Sequence, residues 1–363
     1  MAIDNKDKKI LNVPHLRFPE FSGEWEMVSL QDIATINPKS DPLQNTFIYI
    51  DLEAVEKGEL RKIQEIMREE APSRAQRVID NNDILFQCVR PYQKNNYIHR
   101  ILNTSNQQWV ASTGYAQIRT TELPNYIYHL LNTDEFNRKV MVRCTGSSYP
   151  AINSEDLATI HLYYTPDKKE QLKISRLLDL LDKRIATQNK IIDKLQSLIK
   201  GLAVTLTTKG KPNTAISQCL ECHSSTLQES KVLPNGLYKV FGANGLVGYT
   251  DVSQMNGDAI LVIKDGSGVG TTSYAQGKFS VIGTLNYLTI LGNYDLRYLY
   301  FALSVFNFQP YKTGMAIPHI YFKDYSNAKI YCPPLTEQKR IANVLGKLES
   351  KLLLEQELIT LFN

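Results

Sequence analysis

The sequence has little cysteine and no long apolar run. Five of its 363 residues are cysteine, and no stretch of 18 apolar residues occurs. So few cysteines in a chain of this length are typical of reduced thiols in a cytoplasmic protein. The missing apolar run predicts that no segment spans a membrane. The first residues are charged and lack an apolar segment, so we expect no secretory signal.

The signatures of common catalytic sites are also missing. The chain has no GxxxxGK[ST] phosphate loop, no HExxH, no GxSxG and no NPPY or DPPY tetrapeptide. The run from Gly266 to Thr272 is glycine-rich but lacks the Lys-Ser/Thr step, so it predicts a turn between strands. Cys219-Leu-Glu-Cys222-His223 has the haem-attachment spacing, but that chemistry needs an exported chain and an axial partner. A zinc site would need a second ligand pair nearby, so a cysteine-containing linker is the simpler interpretation. We therefore expect no catalytic site, no metal and no cofactor.

The bulk composition is that of a folded protein with a small positive excess. Hydrophobic residues make up 43% of the chain and the net charge is +4. This length can hold two ordinary domains. The positive excess lies mainly in residues 166–209, which carry 10 basic and 5 acidic side chains. Such a run indicates either a solvated helix face or an anionic partner.

Two long heptad seams organise the sequence. In each, the steps between seam residues alternate between four and three, which is typical of a helix packed along another helix. The first seam consists of Ile174, Leu178, Leu181, Ile185, Gln188, Ile192, Leu195, Ile199 and Leu202. The second consists of Ile341, Leu345, Leu348, Leu352, Glu355, Ile359 and Phe362.

The two seams align with each other. When Glu170-Gln171 is set on Glu337-Gln338, the one polar member of the first seam, Gln188, falls on Glu355 of the second. A polar residue at a seam position commonly fixes register. We therefore predict an internal duplication whose two helices pair antiparallel, with Gln188 near Glu355.

The segments before the helices repeat as well. NGDAILVIKDGSG follows the pattern of NNDILFQCVRP, and GMAIPHIYFKD that of GSSYPAINSED, so that Pro318 pairs with Pro150. The predicted fold class is α/β (α+β), with two similar globules, each followed by a long helix, related by pseudo-twofold symmetry. The predicted divisions are a tail over 1–14, a globule over 15–165, a helix over 166–206, a globule over 207–332 whose residues 207–231 are linker-like, and a helix over 333–363.

Polar and basic residues in matched loops of the two globules are the candidate binding residues. Arg, Gln and Asn side chains read base edges in DNA, and Lys, Ser and backbone amides hold phosphates. An ordinary polar surface explains the same composition. The candidates are Arg68, Ser73, Arg74, Arg77, Arg90, Gln93, Lys94, Ser147, Ser148 and Tyr149 in the first globule, and Lys264, Ser267, Lys312 and Thr313 in the second.

The ordered set of motifs resembles the specificity subunit of type I restriction–modification systems. The resemblance rests on the opening LRFPEFSGEWEMVSLQDI, the strand pair YKVFGANGLVGYTD and the two helix starts TPDKKEQLKISRLL and PPLTEQKRIANVL. It implies that each globule is a target recognition domain for one half of a split site in double-stranded DNA. It also implies that the helices act as a spacer and dock two methyltransferase subunits, which restriction subunits join.

Two other functions remain open from the residues alone. A fused restriction–modification enzyme would need the methyltransferase and nuclease motifs that the chain lacks. A coiled-coil scaffold that binds only proteins would show no selectivity for a DNA sequence.

Overall fold

The computed structural model describes residues 12–101 and 107–361. The chain divides into two compact units, Met1–Lys183 and Arg184–Asn363. Most of the predicted tail over 1–14 lies outside the described residues, as does Phe362 of the second seam. Within the described ranges, no helix combines the length and apolar character needed to cross a membrane.

Unit 1 consists of short strands and helices that lead into one long helix. Its elements are β1 (Glu26–Ser29), α1 (Leu30–Ile33), β2 (Ala34–Ile36), β3 (Thr46–Ile50), β4 (Val55–Glu56), β5 (Glu59–Leu60), β6 (Gln64–Met67), β7 (Ala75–Val78), β8 (Ile84–Gln87), β9 (Tyr97–Ile98), β10 (Gln108–Ser112), β11 (Tyr115–Thr120), α2 (Pro124–Leu131), α3 (Asp134–Arg143), α4 (Ser154–Ala158), β12 (His161–Tyr164) and α5 (Lys168–Thr207), which ends in unit 2.

Two four-stranded sheets form the body of unit 1. One has the order β6-β3-β10-β7 and the other β2-β11-β8-β9. β3 and β10 run parallel. Every residue of β8 is buried, including the polar Gln87 at its end. Asn82, just before β8, has a φ of 70°, a left-handed conformation that asparagine tolerates in turns.

Unit 2 begins within α5 and ends with a second long helix. Its other elements are β13 (Thr214–Ala215), α6 (Ile216–Cys219), β14 (Leu220–Ser224), β15 (Tyr238–Gly242), β16 (Gly245–Thr250), β17 (Met255–Asn256), β18 (Ala259–Ile263), β19 (Thr272–Ala275), β20 (Lys278–Val281), β21 (Leu285–Ile290), α7 (Leu296–Ser304), α8 (Phe322–Tyr325), β22 (Lys329–Ile330) and α9 (Leu335–Thr360).

The strand order of unit 2 repeats that of unit 1. Its sheets are β16-β15-β20-β17 and β14-β21-β18-β19. The parallel pair of the first sheet, β15 with β20, takes the place of β3 with β10. The pair β13 with β22 likewise takes the place of β1 with β12. This identity of order and direction confirms the predicted duplication and the predicted fold class.

The linker predicted over residues 207–231 is wrong for its central part. Residues 214–224 form β13, α6 and β14, and β14 pairs along its whole length with β21. Ile216 and Cys219 are fully buried in the main core of unit 2. The segment is the second copy of β1-α1-β2, where Leu30 and Ile33 hold the matching buried positions. Its many Ser and Thr residues hid the short apolar pattern, because polar residues alternate with the buried ones.

The glutamine of each Glu-Gln pair fixes a long helix to its globule. In unit 2, Gln338 Nε2 donates to the Pro333 carbonyl (2.8 Å), and its Oε1 accepts from the Asp295 amide (2.9 Å). In unit 1, Gln171 Nε2 donates to the Thr165 carbonyl (2.8 Å). Both glutamines are buried, at 0 and 2% exposure. A buried amide with both ends hydrogen-bonded holds three elements in one geometry.

The acidic member of the pair has diverged between the units. Glu170 is fully buried and binds Arg17 through both carboxylate oxygens, at 2.6 and 2.8 Å. Burial opposes its ionisation, but the hydrogen bonds from Arg17 and Thr165 outweigh burial and lower the pKa of Glu170. Glu337 lies nearer the surface, where hydrogen bonds from Arg340 and Lys209 lower its pKa to about 2.

In unit 2 the end of α5 packs antiparallel against α9. Gln188 is 2% exposed, and its amide donates to the carboxylate and the backbone carbonyl of Glu355. Ile199, further along α5, packs with the cluster that contains Leu345, further back along α9. The predicted register is therefore confirmed.

The beginning of the predicted first seam has a different neighbour. Ile174 packs against the core of unit 1, and Leu181 is 38% exposed. On the same stretch, the Asp179 carboxylate accepts from the Asn125 amide (2.5 Å) and contacts His129 Nε2 (2.9 Å) of α2. A helix that rests on a globule and a helix that rests on another helix need the same apolar spacing. The heptad pattern therefore assigned Ile174 to the wrong surface.

We predict that Ile216→Ala lowers the free energy of unfolding of unit 2 by about 2–5 kcal/mol, because it leaves a cavity in the core. Thermal unfolding of the full chain measures this. Ser217→Ala, at an exposed neighbouring position, is the control and should change stability by less than about 0.5 kcal/mol. Equal behaviour of the two variants would mean that the segment is not part of the core.

The polar layer of the seam yields a second prediction. Glu355→Leu should destabilise the helix pair by about 1–3 kcal/mol, because the buried Gln188 amide loses one of its two acceptors, the carboxylate. Adding Gln188→Leu should recover most of that loss, because an apolar pair fits a seam position. Urea unfolding of the two single variants and the double variant gives the coupling energy. Additive effects would show that the two side chains do not interact.

Candidate nucleic-acid interface

Two loops with the same frame occur, one in each unit. Loop 1 is residues 145–151, TGSSYPA, and loop 2 is residues 313–319, TGMAIPH. In loop 1 the amides of Thr145 and Ala151 each donate to the carbonyl of the other, both at 2.9 Å. Thr313 and His319 make the same pair of bonds in loop 2, at 2.9 and 2.7 Å. Each loop is thus closed at its base and projects three residues.

The proline of each loop is tied to the turn after a buried strand. The Pro150 carbonyl accepts from the Arg90 amide (2.7 Å), and the Pro318 carbonyl accepts from the Gly266 amide (3.0 Å). The predicted pairing of Pro150 with Pro318 is therefore confirmed. Arg90 has a φ of 55°, a region that few residues other than glycine adopt. This anchoring fixes where the Arg90 side chain begins.

A glycine is required at the second position of both loops. Gly146 has a φ of 88° and Gly314 a φ of 86°. A Cβ at Gly314 would lie 2.2 Å from the Ile317 carbonyl oxygen, and one at Gly146 would lie 3.0 Å from the Tyr149 carbonyl oxygen. The two loops therefore share a rigid backbone, while the residues that they project differ.

An open cleft of about 730 Å³ lies beside loop 1. Four of the predicted site residues line it, namely Arg74, Arg90, Gln93 and Tyr149. These residues come from three separate segments of unit 1. The guanidinium of Arg90 lies 4.3 Å from the centre of the Tyr149 ring, a distance typical of a cation–π contact. That contact orients the guanidinium at the wall of the cleft.

The floor of the cleft is held by a buried glutamine that the sequence did not single out. Gln87 is 2% exposed. Its Nε2 donates to Gln93 Oε1 (2.9 Å), and its Oε1 accepts from the Asn95 amide (3.1 Å). The acceptor of the Gln93 side chain is thus satisfied from inside, which leaves its NH₂ as the group that can face a ligand. An amide group held in one orientation can distinguish the hydrogen-bonding edge of one base from that of another.

The cleft carries both signs of charge. Arg61 Nη1 binds Glu59 (2.8 Å), and Arg61 Nε lies 3.3 Å from Glu56. Glu53 and Glu56 add carboxylates to the lining. Arg74 is exposed, and its side chain makes no hydrogen bond within the described ranges. The cleft can therefore donate to guanine or phosphate oxygens through arginine and accept from a cytosine amino group through glutamate.

Six predicted residues of the first globule do not line this cleft, and two of them, Ser147 and Ser148, belong to loop 1 beside it. Arg68 Nη1 donates to the Leu43 carbonyl (3.2 Å), and Ser73 lies exposed in the turn before β7. Lys94 Nζ binds Asp134 (2.5 Å) and the Asn132 carbonyl (3.1 Å), so it joins its turn to α3. Burial lowers the pKa of Arg77, and within the described part of the chain its buried Nε has no hydrogen-bond partner.

The predicted residues of the second globule gather around loop 2. Thr313 begins the loop and Lys312 directly precedes it. The Lys264 carbonyl accepts from the amide of Ile320, the residue after the loop (2.9 Å). Ser267 is exposed in the turn whose Gly266 is tied to the loop. The only acidic group in that turn, Asp265, is 2.7 Å from His319 Nδ1. All four predicted residues thus lie at one end of unit 2.

A family model described as "Type I restriction modification DNA specificity domain" matches residues 22–197 and 221–361. The chain belongs to this family. The two matched ranges correspond to the two copies of the α/β unit with their long helices. The specificity-domain family is thus the one that the sequence motifs resemble.

Two characterised proteins resemble this specificity-domain chain over part of their length. It is 23% identical over 204 residues to the type I restriction enzyme HindI specificity subunit of Haemophilus influenzae, a match that covers 55% of this chain and 40% of that protein. It is 22% identical over 114 residues to the type I restriction enzyme EcoprrI specificity subunit of Escherichia coli, covering 31% and 28%. The matches therefore span less than half of either relative.

Two solved structures share the fold across nearly the whole chain. The S subunit of a type I restriction–modification system from M. genitalium has a TM-score of 0.67 and 14% identity, with 93% of each chain covered. A chain from a study of assembly and conformational transition in a type I R-M system has a TM-score of 0.55 and 20% identity, with 96% covered. At these identities the likeness describes the specificity-domain fold alone.

The residues of the Cys219-Leu-Glu-Cys222-His223 motif take part in the packing of unit 2 in this specificity-domain chain. Cys219 is fully buried, and a hydrogen bond with Cys332, together with burial, raises its pKa. Burial raises the pKa of Cys222 to about 11. His223 stacks on Tyr287 and contacts the Thr289 hydroxyl at 2.8 Å. In the described ranges no group of three or more His, Cys, Asp or Glu side chains is arranged to hold a metal.

We predict that Gly314→Ala disrupts loop 2, because the new Cβ would meet the Ile317 carbonyl and the φ is left-handed. The expected cost is about 1–3 kcal/mol, and the amides of Thr313 and His319 should lose protection from hydrogen exchange. Gly346→Ala is the control, because that helical glycine has no atom within 4 Å of the added Cβ. It should stabilise α9 by about 0.5–1 kcal/mol. Unchanged protection in Gly314→Ala would contradict the assigned loop geometry.

Proposed function

We propose that this chain is the DNA sequence-recognition subunit of a type I restriction–modification complex and has no catalytic site of its own. Each globule would read one half of a split target in double-stranded DNA. The observation that carries the proposal is the cleft beside loop 1, where the guanidinium groups of Arg74 and Arg90 and the amide of Gln93 converge from separate segments. Side chains of these types read guanine and adenine edges.

The partners follow from the same proposal. We propose that two methyltransferase subunits dock on the chain and supply the adenosylmethionine chemistry, and that restriction subunits join through that complex in the cytoplasm. A reader without a catalytic site must hold the duplex in fixed register while another subunit extrudes the adenine. The rigid closure of loops 1 and 2 and the buried glutamines Gln171 and Gln338 support such a role.

The long helix α5, whose second half pairs with α9, suits the part of a spacer in this complex. From Ile174 to Leu202 a helix rises about 42 Å at 1.5 Å per residue. One turn of B-DNA between half-sites is about 34–36 Å. The Gln188–Glu355 layer, which fixes the register of the pairing, is the feature that would keep such a spacing constant.

The proposal predicts that Arg74→Ala and Arg90→Ala weaken binding at one half-site only. Each should cost about 1–3 kcal/mol against the mapped target and relax the preference at one base position. The target is obtained by mapping methylated adenines in the host with and without the gene. Binding is measured as fluorescence anisotropy of a labelled duplex with the chain in complex with its methyltransferase partner.

The controls separate base reading from charge. Arg176→Ala removes an exposed arginine of α5 and should leave the preference unchanged. A duplex altered in the other half-site should show the same relative loss with wild type and variants. Equal loss on all sequences would make Arg74 and Arg90 phosphate contacts. No selectivity of the complex above bulk DNA would overturn the proposed function.

A further inference from the structure

Loops 1 and 2 present different chemistry on the same backbone frame. At the three projecting positions, loop 1 carries Ser147, Ser148 and Tyr149, whereas loop 2 carries methionine, alanine and isoleucine. Met315 is fully exposed and Ile317 is 59% exposed. Because both apolar side chains are exposed, they add no core packing to unit 2. Such residues are typical of a surface that binds a partner.

The surroundings of loop 2 favour a polyanion over an apolar protein surface. Lys312 precedes the loop and Lys264 lies in the turn bonded to it. Lys323 follows the loop and lies 5.6 Å from the ring of the half-exposed Tyr321. Asp265, the acidic group in the turn, is paired with His319 at 2.7 Å. Lysines around an apolar tip match a duplex, whose phosphates flank the groove in which base edges lie.

The apolar feature on the edges of DNA bases is the thymine methyl group. In the major groove it is what distinguishes a thymine from the other bases, and apolar side chains contact it. Loop 1, with serines and a tyrosine beside arginines, has the opposite character. The contrast between the loops therefore predicts different base preferences in the two half-sites.

We propose that Met315 and Ile317 of loop 2 are specificity-determining residues that contact thymine methyl groups in the half-site read by unit 2. The inference rests on the proposed DNA-reading function and adds to it which base and which atoms are recognised. The geometry that carries it is the closed base of loop 2, which leaves both side chains exposed between segments that carry Lys264, Lys312 and Lys323.

The test replaces thymine by deoxyuridine, which removes the methyl group and keeps every hydrogen bond. The probe is the mapped target duplex with deoxyuridine placed singly at each thymine position of the half-site assigned to unit 2. Binding is measured with the full chain in complex with its methyltransferase partner. At one or more positions we expect about fourfold weaker binding, since one buried methyl contributes about that much.

Two variants identify the side chains responsible. Met315→Ser with Ile317→Ser should bind thymine and deoxyuridine duplexes equally. The triple change Met315→Ser, Ala316→Ser and Ile317→Tyr gives loop 2 the side chains of loop 1, whose frame accommodates them, and should also abolish the discrimination. Val252→Ser removes another exposed apolar side chain of unit 2 (75% exposed) and should keep it. All three changes lie at the surface, so thermal unfolding should not change.

The outcomes separate this inference from the proposed function. Discrimination by the wild type that the loop variants lose, and Val252→Ser keeps, supports the inference. A half-site without thymine on either strand, or equal binding of all deoxyuridine duplexes, overturns it while DNA selectivity stands. The inference is also overturned if the loop 2 variants still discriminate thymine from deoxyuridine but assemble less with the methyltransferase subunit. That result would mean that loop 2 contacts the protein partner. Loss of all sequence selectivity in the wild type would instead remove the proposed function.

Discussion

A buried glutamine at the start of each long helix holds the architecture together. Gln338 bonds at once to the end of the strand before α9 and to the Asp295 amide at the start of α7. Gln171 bonds to the matching strand end in unit 1. Because each amide is buried, losing one of its bonds would leave a polar group unpaired in the core. Each glutamine therefore ties the start of its long helix to its own globule.

The two copies share their backbone architecture but differ in several of the side chains that it carries. The strand orders, the glutamines and the two TGxxxP loops repeat in both units. The glutamates differ, because Glu170 forms a buried ion pair with Arg17, whereas Glu337 pairs with Arg340 near the surface. The residues that loops 1 and 2 project differ at all three positions, Ser-Ser-Tyr against Met-Ala-Ile. Such a division suits the proposed function, in which the geometry is kept while each half reads a different sequence. A symmetric dimer of one unit would be restricted to two equal halves.

Much of this could be predicted from the sequence because the signals are periodic or repeated. The heptad seams predicted the helix pairing and its register down to Gln188 and Glu355, since a polar residue in a seam requires a polar partner. The pairing of Pro150 with Pro318 followed from aligned loops. The segment 214–224 was missed because its strands are short and mostly polar. Ile174 was assigned to the helix seam because a globule surface and a helix demand the same spacing.

The sequence by itself determined the two-copy plan, the two long helices and the register of their pairing, because these depend on residues close in sequence or repeated along it. Only the tertiary structure decided which polar residues form a site. Arg74, Arg90, Gln93 and Tyr149 meet in one cleft, whereas Arg68 and Lys94 bond elsewhere to their own unit. Gln87, which holds the cleft floor, looks in the sequence like one more residue of a buried strand. Convergence of side chains from separate segments depends on how the sheets and turns pack, and no local pattern encodes that.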